Sequence, residues 1–131
     1  MFAVEVRDHI MIGHSLPSPV FGPAQGMHGA TFTVDAAFFT DDIDEHGLVV
    51  DIGLATEALA ETLAPLRYKN LDEVPEFAGK FTTTEFLCGH IFKTLADQVR
   101  TGKLADQGRV KRLRIMLHES HIARAWYEAE V

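Results

Sequence analysis

The sequence has one cysteine, Cys88, among 131 residues, so no internal disulfide can staple the fold and nothing in it points to an oxidising compartment. It has no long hydrophobic run. Met1 to His14 alternates apolar residues with Glu5, Arg7, Asp8 and His9, a pattern of neither a signal peptide nor a membrane span. No targeting segment needs to be set aside, no membrane partner is expected, and a cytoplasmic address follows by default. A surplus of positive charge is missing too. Twelve Lys and Arg face 19 Asp and Glu, for a formal net charge of -7, and this excludes a sequence-independent nucleic-acid binder, which needs cations to displace counterions from phosphates. The one basic run, Arg109 to Arg114, alternates with Val110, Leu113 and Ile115 and reads as the solvent face of a strand. Internal repeats, low-complexity tracts and linkers are also absent.

What is there belongs to an ordinary globular chain. Hydrophobic residues make up 47% and charged residues 24%, which places the chain outside the disordered and fibrous classes. Its length suits one domain spanning 1–131, long enough to bury a core and too short for two.

Phe2, Val4, Val6, Ile10 and Ile12 alternate with charged or small residues and predict a first strand ending at Gly13-His14. Ser15 to Gly26 carries Pro17, Pro19, Pro23, Gly22 and Gly26, so it cannot keep a continuous ladder and is expected as a loop. From Met27 to Thr40 the β-branched and aromatic residues Thr31, Phe32, Thr33, Val34, Phe38 and Phe39 predict a second strand, antiparallel to the first, and Asp41 to Gly47 a turn. Leu54, Ala58, Leu59, Thr62 and Leu63 then share one helical face opposite Glu57 and Glu61, with Pro65 as the stop. Arg67 to Lys80 is an irregular connection. A second helix starts at the Thr82-Thr83-Thr84-Glu85 cluster and runs through Phe86, Leu87, Ile91, Phe92, Leu95 and Val99 to Gly102. Val110 to Glu119 and Ile122 to Glu130 read as two closing strands around Ser120-His121. The order predicts an α+β fold, a four-stranded antiparallel sheet with both helices on one face.

Seven histidines raise the question of a metal. His14 ends the first strand and His28 begins the second, so an antiparallel return brings both to one pole of the sheet. Such an imidazole pair suits zinc, which in catalytic sites takes three protein ligands and a water; two strand-end histidines can equally be polar caps. Glu119, at the end of the third strand, reads on position alone as a carboxylate pointing into water. Cys88, mid-helix, reads as a small buried hydrophobe.

The chain as a whole resembles the 6-pyruvoyl-tetrahydropterin synthase and 6-carboxytetrahydropterin synthase family of the tunnelling fold. Ile12-Gly13-His14 is similar to that family's first-strand Ala-Ala-His, and Ala24-Gln25-Gly26-Met27-His28-Gly29-Ala30 to its Cys-x-x-x-His-Gly-His segment. Gly47-Leu48-Val49-Val50-Asp51-Ile52 resembles Gly-Met-Val-x-Asp-Phe, and Leu66-Arg67-Tyr68-Lys69-Asn70-Leu71-Asp72 resembles Leu-Asp-His-x-x-Leu-Asn. Thr83-Thr84-Glu85 is similar to the Thr-x-Glu helix start, and Glu119-Ser120 to the terminal Glu-Thr. The resemblance implies a homohexamer whose subunits join edge to edge into a barrel, with zinc held by His14 and His28 and a pterin- or purine-like ring held by Glu119 and Thr83.

The departures bear on chemistry. The third histidine position of the family is Ala30, which cannot ligate; His121, Gln25, water or a neighbouring subunit are the substitutes, and an exposed turn is the plainer reading of His121. The catalytic positions are filled by Ala24, Arg67 and Tyr68, which leave no thiol, carboxylate or imidazole to move a proton. The function implied is thus a divergent homologue that binds a pterin or purine. If active, it is a zinc-dependent carbon–oxygen lyase-like enzyme on a dihydroneopterin-triphosphate-type substrate. The alternatives are a non-catalytic binding protein and an enzyme with an altered substrate and proton relay.

Overall fold

The computed structural model describes residues 1–131. Strands β1 (Phe2–His14) and β2 (His28–Thr40) pair antiparallel in unbroken register, from Phe2 against Thr40 to His14 against His28. Strict alternation sends Val6, Ile10, Ile12 and His14 of β1, and Phe32, Val34, Ala36 and Phe38 of β2, to one buried face. Between the strands, Pro19–Gln25 forms a short 3-10 segment kinked at Gly22, whose φ of +54° is open to glycine at little steric cost.

Helix α1 (Ile52–Leu63) begins where the Asp51 side chain accepts a 2.9 Å hydrogen bond from the Leu54 amide, a cap worth about 1 kcal/mol. It packs Ala55, Ala58, Leu59 and Leu63 beneath β1, and the chain leaves it through a 3-10 turn at Ala64–Leu66. Helix α2 (Thr84–Arg100) is capped by Thr83, whose hydroxyl accepts from the Phe86 amide at 3.1 Å. Its apolar stripe of Leu87, Cys88, Ile91, Leu95 and Val99 covers strands β3 (Val110–His118) and β4 (Arg124–Glu130). Each fully buried Leu or Ile in this layer contributes about 1.5–3 kcal/mol.

On β3, Val110, Leu113, Ile115 and Leu117 are all buried although the first spacing is odd. A register shift between Phe39 and Thr40 explains it, because Thr40 pairs with Val110 and Phe39 with Arg112, leaving Lys111 as an extra residue. Of the basic run, Arg112 and Arg114 lie on the other side of the sheet, where they meet Glu128 at 3.0 Å and Glu5 at 3.1 Å, whereas Arg109 precedes β3 and donates to the Val49 carbonyl at 2.7 Å.

Three expectations are corrected. The fold is not a barrel: the sheet is open, in the order β1-β2-β3-β4, with β1 and β4 each paired on one side only. Four strands rotated by about 20–25° from one to the next cannot return on themselves, and closure takes roughly eight. Strand β4 starts at Arg124 rather than Ile122, because residues 119–123 make the turn and Ile122 is exposed. The stretch from Arg67 to Lys80 is not wholly irregular, since it contains 3-10 turns at Leu71–Glu73 and Pro75–Phe77. No helix is long and apolar enough to cross a membrane.

The helix-free face is polar but not merely solvated. Asp35, in the middle of β2, is only 3% exposed. Arg7 of β1 donates to both of its oxygens, at 2.7 and 2.9 Å, and His118 Nε2 of β3 lies 2.7 Å from Oδ2. The Arg7 hydrogen bond holds the Asp35 carboxyl below the usual carboxylate range against the opposing effect of burial, and His118 adds to the lowering.

Candidate functional site

Two histidines meet where β1 ends and β2 begins. His14 and His28 are register partners, their ring centroids 4.6 Å apart and their planes inclined at 63°. His14 Nδ1 lies 3.0 Å from both the carbonyl and the hydroxyl oxygen of Thr82, and His28 Nδ1 lies 2.8 Å from the Gly26 carbonyl. A carbonyl only accepts, so Nδ1 carries a proton in each ring, and Nε2 is the nitrogen that has the lone pair whenever a ring is neutral. Burial, with the charge of His28 next, pushes the His14 pKa down; the Thr82 backbone and Asp72 oppose this more weakly. His14 is therefore held neutral, as a nitrogen donor rather than a cation.

The pair stands in a cleft of about 570 Å3. Its walls are the strand ends around Ala30 and Thr31, the apolar Leu16 and Phe21 of the connecting segment, and the start of α2 at Thr83, Thr84 and Glu85. Glu119 enters from the end of β3, where its backbone amide is fixed to the Ala123 carbonyl at 3.0 Å. The Glu119 residue is exposed and its carboxylate has no partner in the protein, which leaves both oxygens free to accept from a ligand.

His14, His28, Glu119, Thr83, Ala24 and Ala30 thus come together in one cleft. Arg67 and Tyr68 line an adjoining recess with Asp8, His9 and Met11, and Thr31 borders both spaces. There the Arg67 guanidinium is committed to Asp8 and to the His9 carbonyl. Tyr68 is 82% exposed and has a φ of +56°, a conformation that costs a non-glycine residue about 1–2 kcal/mol. His121 stays in the exposed β3–β4 turn and is not part of the cleft wall. Gln25 is likewise outside it, donating to the Gly22 carbonyl at 3.0 Å. Cys88 is fully buried, 3.3 Å from the Ala125 carbonyl, and burial pushes its thiol up to about 11, so it is no nucleophile.

Sequence reasoning missed Thr82, whose buried hydroxyl and carbonyl orient His14. The run of threonines before α2 points to a helix cap and, through Thr83, to a ring contact, and neither singles out Thr82. It missed Asp35 as well, although a lone acid inside an apolar strand is a usable signal.

A catalytic zinc takes three protein ligands. The histidine pair offers two nitrogens, Ala30 offers none, and no group of three or more His, Cys, Asp or Glu is placed to hold a metal ion. The residues of one chain do not make a complete zinc centre.

A family model described as 6-pyruvoyl tetrahydropterin synthase matches residues 3–130. Among solved structures, the 6-pyruvoyl tetrahydropterin synthase of Caenorhabditis elegans superposes with a TM-score of 0.82 at 18% identity, covering 98% of this chain and 95% of that one. The Plasmodium vivax enzyme of the same name gives 0.75 at 15% identity, with 100% of each chain covered. An uncharacterized protein of Wolinella succinogenes gives 0.68 at 12%, covering 96% and 97%. No curated protein matches. At such identities the superpositions carry the fold alone; it is the match over nearly the whole sequence that carries kinship.

Proposed function

The chain belongs to the 6-pyruvoyl tetrahydropterin synthase family, and from that footing we propose that it binds a pterin- or purine-like ring in the His14/His28 cleft without running the family's standard reaction. One observation carries this reading: Glu119, from the end of β3, shares a cleft with Thr83, from the start of α2. A free carboxylate accepts two adjacent ring N–H donors as a paired, charge-assisted contact. Leu16 and Phe21 supply apolar wall beside it, as expected of a site for a flat heterocycle.

The standard reaction moves protons at side-chain carbons, and a positioned acid or base contributes about 10²–10⁴-fold to such steps. Ala24 has no such group, and the Arg67 guanidinium is already bound to Asp8. Tyrosine is a weak base near neutrality. An enzyme with an altered relay is the second reading, favoured by Glu85, a second carboxylate in the same cleft. Incubation with a dihydroneopterin-triphosphate-type substrate separates the two, since turnover at ordinary enzyme rates supports an active relay and contradicts the first.

His14 and His28 are the residues that would hold zinc, weakly for want of a third ligand in the chain. The unpaired edges of β1 and β4 support self-association, with a homohexamer the proposed state; light scattering that reports a monomer at micromolar concentration contradicts it. The ligand proposal is tested by calorimetric titration of the protein with neopterin, biopterin and guanine. Binding of at least one is expected. If none binds, the family and the fold stand and the ring-binding reading falls.

A further inference from the structure

A second cavity of about 550 Å3 shares no residue with the histidine cleft. It opens beside the flank of α2, between the 3-10 turn at Pro75–Phe77 and strand β4. Its walls are aromatic. Phe77 stands edge-on to Phe86 at 5.4 Å and to His90 at 4.7 Å, and Tyr127 of β4 closes the far side. Its rim is cationic. Lys80 and Lys93 border it, the Lys80 ammonium 5.9 Å from the Phe86 ring centre, with Glu76 the only acid. His90 registers this field: burial pushes its pKa down, Glu76 opposes, and Lys93 and then Lys80 add to the lowering. In a chain of net charge -7, two lysines on the rim of an aromatic cavity stand against the general sign of the molecule.

Gly89 is the independent observation. It lies inside α2 and lines this cavity, and a Cβ added to it would meet nothing within 4 Å. Interior glycine weakens a helix, yet no packing neighbour within the chain requires one here. What the missing side chain leaves is a bare stretch of helix backbone as the floor of an aromatic, lysine-rimmed space.

The geometry points to a second ligand site, for a flat aromatic ring that carries an anionic group: the ring lies on Gly89 between Phe86 and Tyr127, and the anion meets Lys80 and Lys93. Phosphate and carboxylate share the needed chemistry. A ring offering no paired N–H donors to Glu119 distinguishes this site from the cleft, and adenine is such a ring.

The probes are AMP, naphthalene-2-carboxylate, adenosine and inorganic phosphate, each titrated into the full chain while the His90 and Phe86 side-chain resonances are followed by NMR. AMP or the naphthoate should shift those resonances and saturate. Adenosine, with the ring and no charge, and phosphate, with the charge and no ring, should bind at least about tenfold more weakly. Lys93→Ala should weaken the bound probe by about tenfold for the loss of one charged contact. Gly89→Ala should raise the melting temperature by a few degrees and yet weaken binding at least about tenfold, because its methyl group fills the floor. That opposition of stability and affinity is what a merely inefficient helix would not show. Saturation by AMP alone assigns a phosphate site and by the naphthoate alone a carboxylate site, each sustaining the proposal. It is overturned if neither probe shifts His90, or if both variants bind as the wild type does.

Discussion

His14 and His118 each project from the sheet and each is held by another side chain, but on opposite faces and for opposite ends. On the open face, His118 Nε2 lies against Asp35, an acid also gripped by Arg7, so the imidazole belongs to a network built around a carboxylate. On the helix face, His14 is buried against the uncharged Thr82, with His28 beside it and a nitrogen left over. The first arrangement ties three strands together. The second forgoes such a tie and presents donors to a cleft. The same side chain is thus structural where a carboxylate faces it and available where only a hydroxyl and a carbonyl do, so neighbours rather than residue type assign the role.

Removal of the carboxylate is the largest test of this contrast. Asp35→Ala takes away the shared acceptor of Arg7 and His118 and should destabilise the protein by about 2–4 kcal/mol, read as a lower midpoint in urea. Ligand binding at the cleft should survive in the folded fraction. A loss of binding without loss of stability would put Asp35 at the functional site and erase the distinction between the faces.

The counterpart on the other side is smaller. Thr82→Val removes the hydroxyl beside His14 and leaves the carbonyl, so one hydrogen bond's worth, about 1 kcal/mol, is expected to go. A cost equal to that of Asp35→Ala would mean that the cleft is as tightly networked as the open face.

The smallest effect lies in pH. His14 and His90 both have pKa values lowered below 6.5, chiefly by burial. Between the folded and unfolded values the unfolded chain binds more protons, so stability is complete above pH 6.5 and declines as the pH falls through the folded values. Asp35, lowered from 3.8, adds a separate loss only below that point. Denaturant midpoints from pH 7.5 to 3 should show a shallow first limb and then a second; stability that rises between pH 6.5 and 5 would contradict the assignment of neutral, buried imidazoles.

The elements on the helix face were readable in the sequence because one period governs each. Alternation in β1 and β2 fixed both strands, and their antiparallel return was enough to bring His14 to His28 across a loop rich in proline and glycine. Glu119 was legible to within one residue, since the strand expected to run through it ends at His118. The Asp35 network was not, since it joins residues 28 and 83 positions apart through three strands, and pairing partners are set by tertiary packing rather than local pattern. The bulge at Lys111 was hidden for the same reason. The expected barrel came from resemblance, and the open sheet of one chain does not make it. Gly89 carries no signal of its own in the sequence, because the space beside it is formed with Phe77 and Tyr127 from distant elements.

The central claim is that the cleft receives a ring through Glu119, and Glu119→Gln tests it most directly. The exchange keeps the shape and replaces one acceptor oxygen with a donor that faces a ring N–H. Loss of a charge-assisted hydrogen bond in a pocket costs about 1.5–3 kcal/mol, or roughly tenfold to hundredfold in affinity. Calorimetric titration of wild type and variant with whichever of neopterin, biopterin or guanine binds should show that loss at an unchanged melting temperature. Equal affinity in the two proteins would contradict the account.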